Sequence, residues 1–344
     1  MRPLALLCCA LSFAAAKPTA PVVSEVLATQ VALDRAGFSP GEIDGKAGKN
    51  LQRALDAFKQ SHDQPLSLLN DVAPLTDYTI TDADVAGPFT ADIPVNLPDQ
   101  AALDALNYRT PLEALAERFH SSPALLQQLN PQAKFQAGET IMVPNVEPFV
   151  PGSSTQTAAT KTAQTAATKP AAPPAASSKP ASSASSPVAT SGRQASPGKP
   201  ASRAPAAPDV TVYVTKGTSA LTVEDASGKI LMHAPVTSGS EHDPLPIGMW
   251  KVTGVQRNPK FHYNPDLFWD ATPGDRKATL QPGPNNPVGI AWLDLSKPHY
   301  GIHGTPEPSK IGHVESHGCV RLTNWDADRL AQLVKVGTPV VFRE

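Results

Sequence analysis

The sequence predicts a multi-domain chain: a small α-helical unit, an α+β unit, a disordered linker, and a mainly-β domain with one helix beside its candidate site. Three observations predict that order. Apolar residues before the linker recur at helical spacing, as with Leu51, Ala54, Leu55 and Phe58 at i, i+3, i+4 and i+7. From Pro148 to Pro208 the chain reduces almost to Ala, Pro, Ser and Thr. After Asp209, strand-like alternation begins at Val210–Val214.

Composition narrows the function classes. The 344 residues suffice for two or three domains. With 29 Lys+Arg against 31 Asp+Glu, the net charge of −2 argues against a polycation that neutralises nucleic-acid phosphates. No run approaches the roughly 20 apolar residues of a membrane span.

The first element, residues 1–16, reads as an export signal: Arg2, the apolar run Leu4–Phe13, then the small Ala14-Ala15-Ala16. It carries Cys8 and Cys9 away, so the mature chain keeps one thiol, Cys319, in an oxidising compartment. A solitary exported thiol is either reactive or an inert core residue, and its neighbours must decide.

Residues 23–64 form the helical unit. Its two helix patterns flank the turn-rich Gly37-Phe38-Ser39-Pro40-Gly41-Glu42-Ile43-Asp44-Gly45. "AGFSPGEIDGKAGKNLQRALDAFKQ" resembles the small peptidoglycan-binding domain of bacterial wall enzymes. Residues 65–105 are an unassigned connecting segment, apart from a strand-like Thr79-Ile80-Thr81.

Residues 106–146 read as β-α-α-β. Asn107-Tyr108-Arg109 stands as the first strand, Leu112, Leu115, Ala116 and Phe119 mark one helix, and Ser122-Pro123 opens a second. Thr140–Val143 is the last strand, stopped by Pro144. The text "TPLEALAERFHSSPALLQQLNPQAKFQAGETIMVPN" looks like a LysM domain, which implies binding to N-acetylglucosamine-containing glycans.

The 148–208 linker buries too little to offset its ordering entropy. Stiffened by proline it extends to ~180 Å, and as a flexible coil it averages ~45 Å, so a head domain can search a surface while another part stays attached.

Residues 209–344 hold the chemistry. Strand patterns fall at 220–223, 230–233, 249–255 and 338–342. Thr323 and Asp326 make a cap-like pair before a helix faced by Ala327, Leu330, Ala331 and Val334. Phe261-His262-Tyr263 and Phe268-Trp269 either wall a groove or join the core, and Asn285-Asn286 lies in a Pro/Gly-rich loop beside the cleft.

Cys319 follows His317-Gly318, and His303-Gly304 lies sixteen residues upstream. A thiol attacks as thiolate, so its pKa of about 8.5 has to be lowered by a cation, a helix N-terminus or donated hydrogen bonds. An imidazole does this and also shuttles the proton. Gly318 permits a sharp bend that aims backbone amides at a developing oxyanion. A zinc site from His303, His313, His317 and Cys319 is disfavoured, because the spacing is not that of zinc ligands and no second cysteine exists. His313 reads as structural. Nothing implies a metal, nucleotide or organic cofactor.

"HGT…SHGCVRL", with "PVTSGSEHDPLPIGMWKV" and "GTPVVF", resembles the L,D-transpeptidase (YkuD-type) catalytic domain over about 210–342. The resemblance implies Cys319 as nucleophile and His303 as general base and acid. Ser316, His317 and Gly318 then shape the site and its oxyanion pocket. Arg321 stands where many members carry Asn; it clamps a carboxylate or pairs with Asp326 or Asp328. The implied reaction is 3→3 cross-linking of peptidoglycan stems through a thioester, with release of D-Ala. The partners implied are stem peptides and glycan strands, with no nucleic acid and no membrane span. Export implies a periplasmic or wall-associated protein. L,D-carboxypeptidase action, attachment of a lipoprotein lysine, and a non-catalytic wall anchor are the alternatives.

Overall fold

Helix α1 (Glu25–Ala36) begins where the Ser24 hydroxyl accepts the Leu27 amide at 3.1 Å. It ends at Gly37, whose φ of +92° suits a residue without Cβ. Helix α2 (Lys49–Ser61) turns Leu51, Ala54 and Phe58 inward, the face that their spacing predicts. They close a small core with Leu33 and Phe38. This computed structural model describes residues 23–62, 66, 72–151, 209–269, 271–313 and 318–344. The expected export signal, nearly all of the expected linker, Ser316 and His317 lie outside the described residues.

The α+β unit corrects one expectation. Its first strand is not Asn107–Arg109 but β1 (Leu75–Thr79), drawn from the segment left unassigned. It is followed by α3 (Asp82–Val85), α4 (Leu97–Gln100), α5 (Pro111–Arg118), α6 (Pro123–Leu129) and β2 (Thr140–Pro144). β1 pairs antiparallel with β2, Leu75 opposite Pro144 and Thr79 opposite Thr140. Asn107–Arg109 instead leads into the helix cap. The Thr110 hydroxyl accepts the Glu113 amide at 3.2 Å, and the Tyr108 carbonyl accepts Thr90 N–H at 2.9 Å.

The last stretch supplies β3 (Val210–Thr215), β4 (Ala220–Asp225), β5 (Ile230–Pro235), β6 (Thr237–Ser238), β7 (Gly248–Arg257), β8 (Phe261–Tyr263), β9 (Ala278–Leu280), β10 (Ala291–Leu295), β11 (Gly301–His303), β12 (Val320–Arg321), α7 (Asn324–Leu333) and β13 (Pro339–Arg343). Among the described residues, nine strands make one sheet in the order β5-β4-β3-β13-β7-β10-β11-β12-β6. Val210, Val212 and Val214 alternate inward, as a strand with one buried face requires. They join Val252, Leu293, Ile302, Val320 and the α7 face of Ala327, Leu330 and Ala331 in the main core. The Thr323 hydroxyl caps α7 by accepting the Asp326 amide at 3.2 Å.

The described residues on both sides of the linker belong to one compact unit, not to a head and a separate anchor. Outer strand β5 is covered by the chain after α1. Ser39 N–H donates to the His233 carbonyl and His233 N–H to the Gly37 carbonyl, both at 2.9 Å. That pairing covers a sheet edge that would otherwise offer unpaired backbone groups. The His120 ring stacks on Trp325 of α7 at 5.2 Å, and the Ser39 hydroxyl donates to the Asp326 carboxylate at 2.9 Å. The β8–β9 hairpin is packed from the same side. Leu106, Tyr263 and Leu280 are its buried centre, with Ile93, Leu97, Leu103, Phe261 and Phe268 around them. The aromatic residues 261, 263 and 268 are therefore core. Trp269 is exposed and stacks on His242 at 4.5 Å.

Candidate active site

Strands β11 and β12 run parallel, with Ile302 opposite Val320 and His303 opposite Arg321. Ile302 and Val320 point into the core and are fully buried. Alternation then turns Gly301, His303, Cys319 and Arg321 to the other face. Cys319 immediately precedes β12, so two residues sixteen apart in sequence sit diagonally across the end of β11 and the start of β12.

His303 is held from two directions. Its ring stacks on Trp292, its cross-strand partner on β10, at 5.3 Å and 19°. Its Nδ1 lies 2.7 Å from the Gly304 carbonyl. A carbonyl only accepts, so Nδ1 carries the hydrogen and Nε2 is the basic nitrogen of the neutral ring. Burial lowers the imidazole pKa to about 3, and the nearby Arg321 charge adds to this, against the Gly304 carbonyl. The ring rests neutral.

Cys319 is half-buried. Its thiol lies 3.8 Å from the His299 carbonyl. Burial raises the thiol pKa and the Asp243 charge adds to the rise, while the Gly301 N–H and the Arg321 charge oppose it. The sequence leads one to expect a lowered value. The difference is solvation: the enclosed sulfur loses more hydration than one amide and one guanidinium return. At rest the two side chains are a thiol and a neutral imidazole.

Glycines shape this face. A Cβ on Gly301 would lie 2.5 Å from the Trp292 ring. Gly318 has φ +93°, and a Cβ there would sit 2.8 Å from Tyr300 Cε1. Arg321 faces Thr237 across β12 and β6. Asp328 pairs with Arg257, while Asp326 takes hydrogen bonds from Thr323 and Ser39. His313 is exposed, and its amide donates to Lys310 at 3.1 Å. Asn285 does not line a cleft: its side chain donates to the Asn107 carbonyl at 2.8 Å and to Glu113 at 3.1 Å.

Sequence reasoning missed Trp292, Tyr300, Gly301 and Asn324. Cross-strand partners have no local signal. A cavity of about 370 Å³ runs beside β6, lined by Thr237, Ser238, Ser240, Glu241, Leu245 and Gly312 among others. Among the described residues, no three His, Cys, Asp or Glu side chains gather as metal ligands. Nor is any described helix long and apolar enough to cross a membrane.

His303 and Cys319 thus share one face of a mainly-β domain, one at the end of β11 and the other just before β12. Residues 209–342 match the YkuD L,D-transpeptidase catalytic domain. YqjB of Bacillus subtilis, named as an L,D-transpeptidase, is 30% identical over 155 residues, 43% of this chain and 80% of that protein. YkuD of Bacillus subtilis, named likewise, is 52% identical over 131 residues, 38% of this chain and 64% of its own length. YkuD of Bacillus licheniformis is 55% identical over 60 residues, 17% of this chain and 36% of its own. The chain belongs to the L,D-transpeptidase family. It spans less than two thirds of those two YkuD proteins.

Proposed function

We propose that this chain is an exported, wall-associated peptidoglycan L,D-transpeptidase that forms 3→3 cross-links through a Cys319 thioester. The observation that carries the reading is the His303 tautomer: Nδ1–H is locked on the Gly304 carbonyl, which leaves Nε2 as a proton acceptor on the strand beside Cys319.

The steps balance. As Sγ attacks the carbonyl of the third stem residue, its proton passes to His303 Nε2. The C–N bond to D-Ala breaks, His303 returns the proton to the departing amine, and a thioester remains. The free-base form of an acceptor side-chain amine, whose ordinary pKa is near 10, then attacks the thioester and gives a proton to the same nitrogen as the C–S bond breaks, and His303 passes that proton to the departing sulfur, restoring the thiol. Exchange of one amide for another conserves bond energy outside the membrane. Gly318 shapes the oxyanion pocket, and Arg321 supplies positive charge to the donor. The helical and LysM-like units hold glycan strands.

Incubation of the mature protein with disaccharide tetrapeptide, read by mass spectrometry, tests this. Cross-linked dimer with D-Ala lost is the expected product. Tripeptide alone would mean carboxypeptidase action, and no product would leave a wall-binding protein.

A further inference from the structure

We propose that Asn50, on helix α2 of the N-terminal helical unit, is a positioning residue of the substrate site: it holds Ile311 and Gly312, a wall of the cavity beside β6, against which the stem peptide binds. This rests on the peptidoglycan reading above.

Asn50 is the second residue of α2, and its side-chain amide has one satisfied orientation. Arg53 Nη1 donates to Oδ1 at 2.9 Å, and Nδ2 donates to the Ile311 carbonyl at 2.8 Å. The first partner lies on the next turn of the same helix. The second lies 261 residues away, in the catalytic domain. The approach is close: Gly312 has φ +77°, and a Cβ there would lie 2.4 Å from Asn50 Oδ1. Only glycine lets the chain pass the amide at this distance. Ile311 is itself 2% exposed.

Thr237 joins this contact to the catalytic face. It stands opposite Arg321 across β6 and β12, so both side chains leave the sheet on the side of His303 and Cys319. The Thr237 hydroxyl accepts the Gly312 amide at 3.0 Å and donates to the Lys310 carbonyl at 3.4 Å. Gly312, Thr237 and Ser238 line the cavity of about 370 Å³, and Ser238 is paired with Val320, the residue after Cys319. The wall is therefore fixed from two sides, by a strand of the catalytic sheet and by a helix of the N-terminal unit. That unit is itself anchored on β5 by the backbone bridges of His233 with Gly37 and Ser39. The wall is thus in place before a substrate arrives, and binding pays no cost to order it.

The test is binding of disaccharide tetrapeptide to the full-length Cys319→Ala protein, titrated by NMR, with a melting curve for each variant. Asn50→Asp keeps the side chain's shape and its acceptor for Arg53 but removes the donor to Ile311. It is expected to raise the dissociation constant about fivefold, within what one intramolecular hydrogen bond is worth. Asn50→Ala acts alike, and Gln52→Ala, on the exposed side of α2, leaves the constant unchanged. Partial loss of folding lowers the number of sites and not their affinity, so a merely structural role would not move this readout. Gly312→Ala also weakens binding, but by less when added to Asn50→Ala, where its methyl no longer meets Oδ1. The backbone strain at φ +77° is common to both backgrounds and cancels. With Cys319 restored, Asn50→Asp raises KM and leaves kcat near that of the parent. An unchanged dissociation constant in folded Asn50→Asp overturns the proposal, as does an equal cost of Gly312→Ala in both backgrounds. Where Asn50→Asp does not fold, Asn50→Ala decides the same question. If Cys319→Ala binds no tetrapeptide, the peptidoglycan reading fails and takes the proposal with it; if it binds and the Asn50 variants bind equally well, only the Asn50 link fails.

Discussion

His233 and His303 make an instructive pair. Both are buried in the nine-stranded sheet and both stack on an aromatic ring, Phe38 at 6.2 Å and Trp292 at 5.3 Å. Burial lowers both, His233 to about 4 and His303 to about 3. Yet His233 lies on the outer strand β5, where its backbone is bridged by Gly37 and Ser39, and its Nδ1 has no partner among the described residues. His303 lies one strand from Cys319 with its tautomer set by Gly304. A depressed imidazole pKa therefore reports desolvation and not role. Role comes from the neighbouring strand and from the hydrogen bond that decides which nitrogen is basic.

The largest effect that can sharpen this contrast is loss of the sulfur. Cys319→Ala is expected to abolish turnover and to gain no mass on incubation with a carbapenem, where the parent protein is expected to gain one adduct, read by intact-mass spectrometry. Next, His303→Ala should slow acylation by about 10²–10⁴-fold, the usual contribution of a positioned acid–base group. His233→Phe should leave the acylation rate within about twofold. Equal losses in the two histidine variants would erase the distinction.

Gly304→Ala tests the support beneath His303. Its new methyl would overlap Asn324 Oδ1, since a Cβ there falls at 2.2 Å. Overpacking of this kind costs about 1–3 kcal/mol, to be read from denaturant unfolding. The acylation rate should fall further than that lost stability explains.

The smallest effect is on pH dependence of stability. Below about 6.5 the unfolded chain binds a proton at position 233, whereas the folded chain does so only near pH 4. Stability from this group is complete above about 6.5 and is lost as pH falls toward 4. His303 acts in the same direction. Glu117, raised to about 8, and Asp326, raised to about 6, act in the opposite one, removing stability as pH rises above the ordinary carboxylate range. The melting temperature at pH 5 minus that at pH 7 should be higher for His233→Phe than for the parent, because the variant has no imidazole to charge on unfolding. An equal difference in both would assign the acid sensitivity to other groups.

Legibility followed the range of each interaction. Helix α7 could be placed because its signals are local, Thr323 capping Asp326 and an apolar face at helical spacing. Strand β3 alternates cleanly because one side is core. Strand β1 does not alternate: Thr76, Asp77 and Thr79 are exposed, and only pairing with β2 identifies it.

The residue order by itself singled out the candidate side chains, because a thiol after His-Gly and a histidine upstream are facts of sequence. It also set the local elements, whose caps and periods span only a few residues. The protonation of that thiol, the tautomer of His303, and the docking of the N-terminal region on β5, α7 and the β8–β9 hairpin were decided only in three dimensions. Desolvation and cross-strand register depend on what other parts of the chain bring close, and no local pattern encodes them.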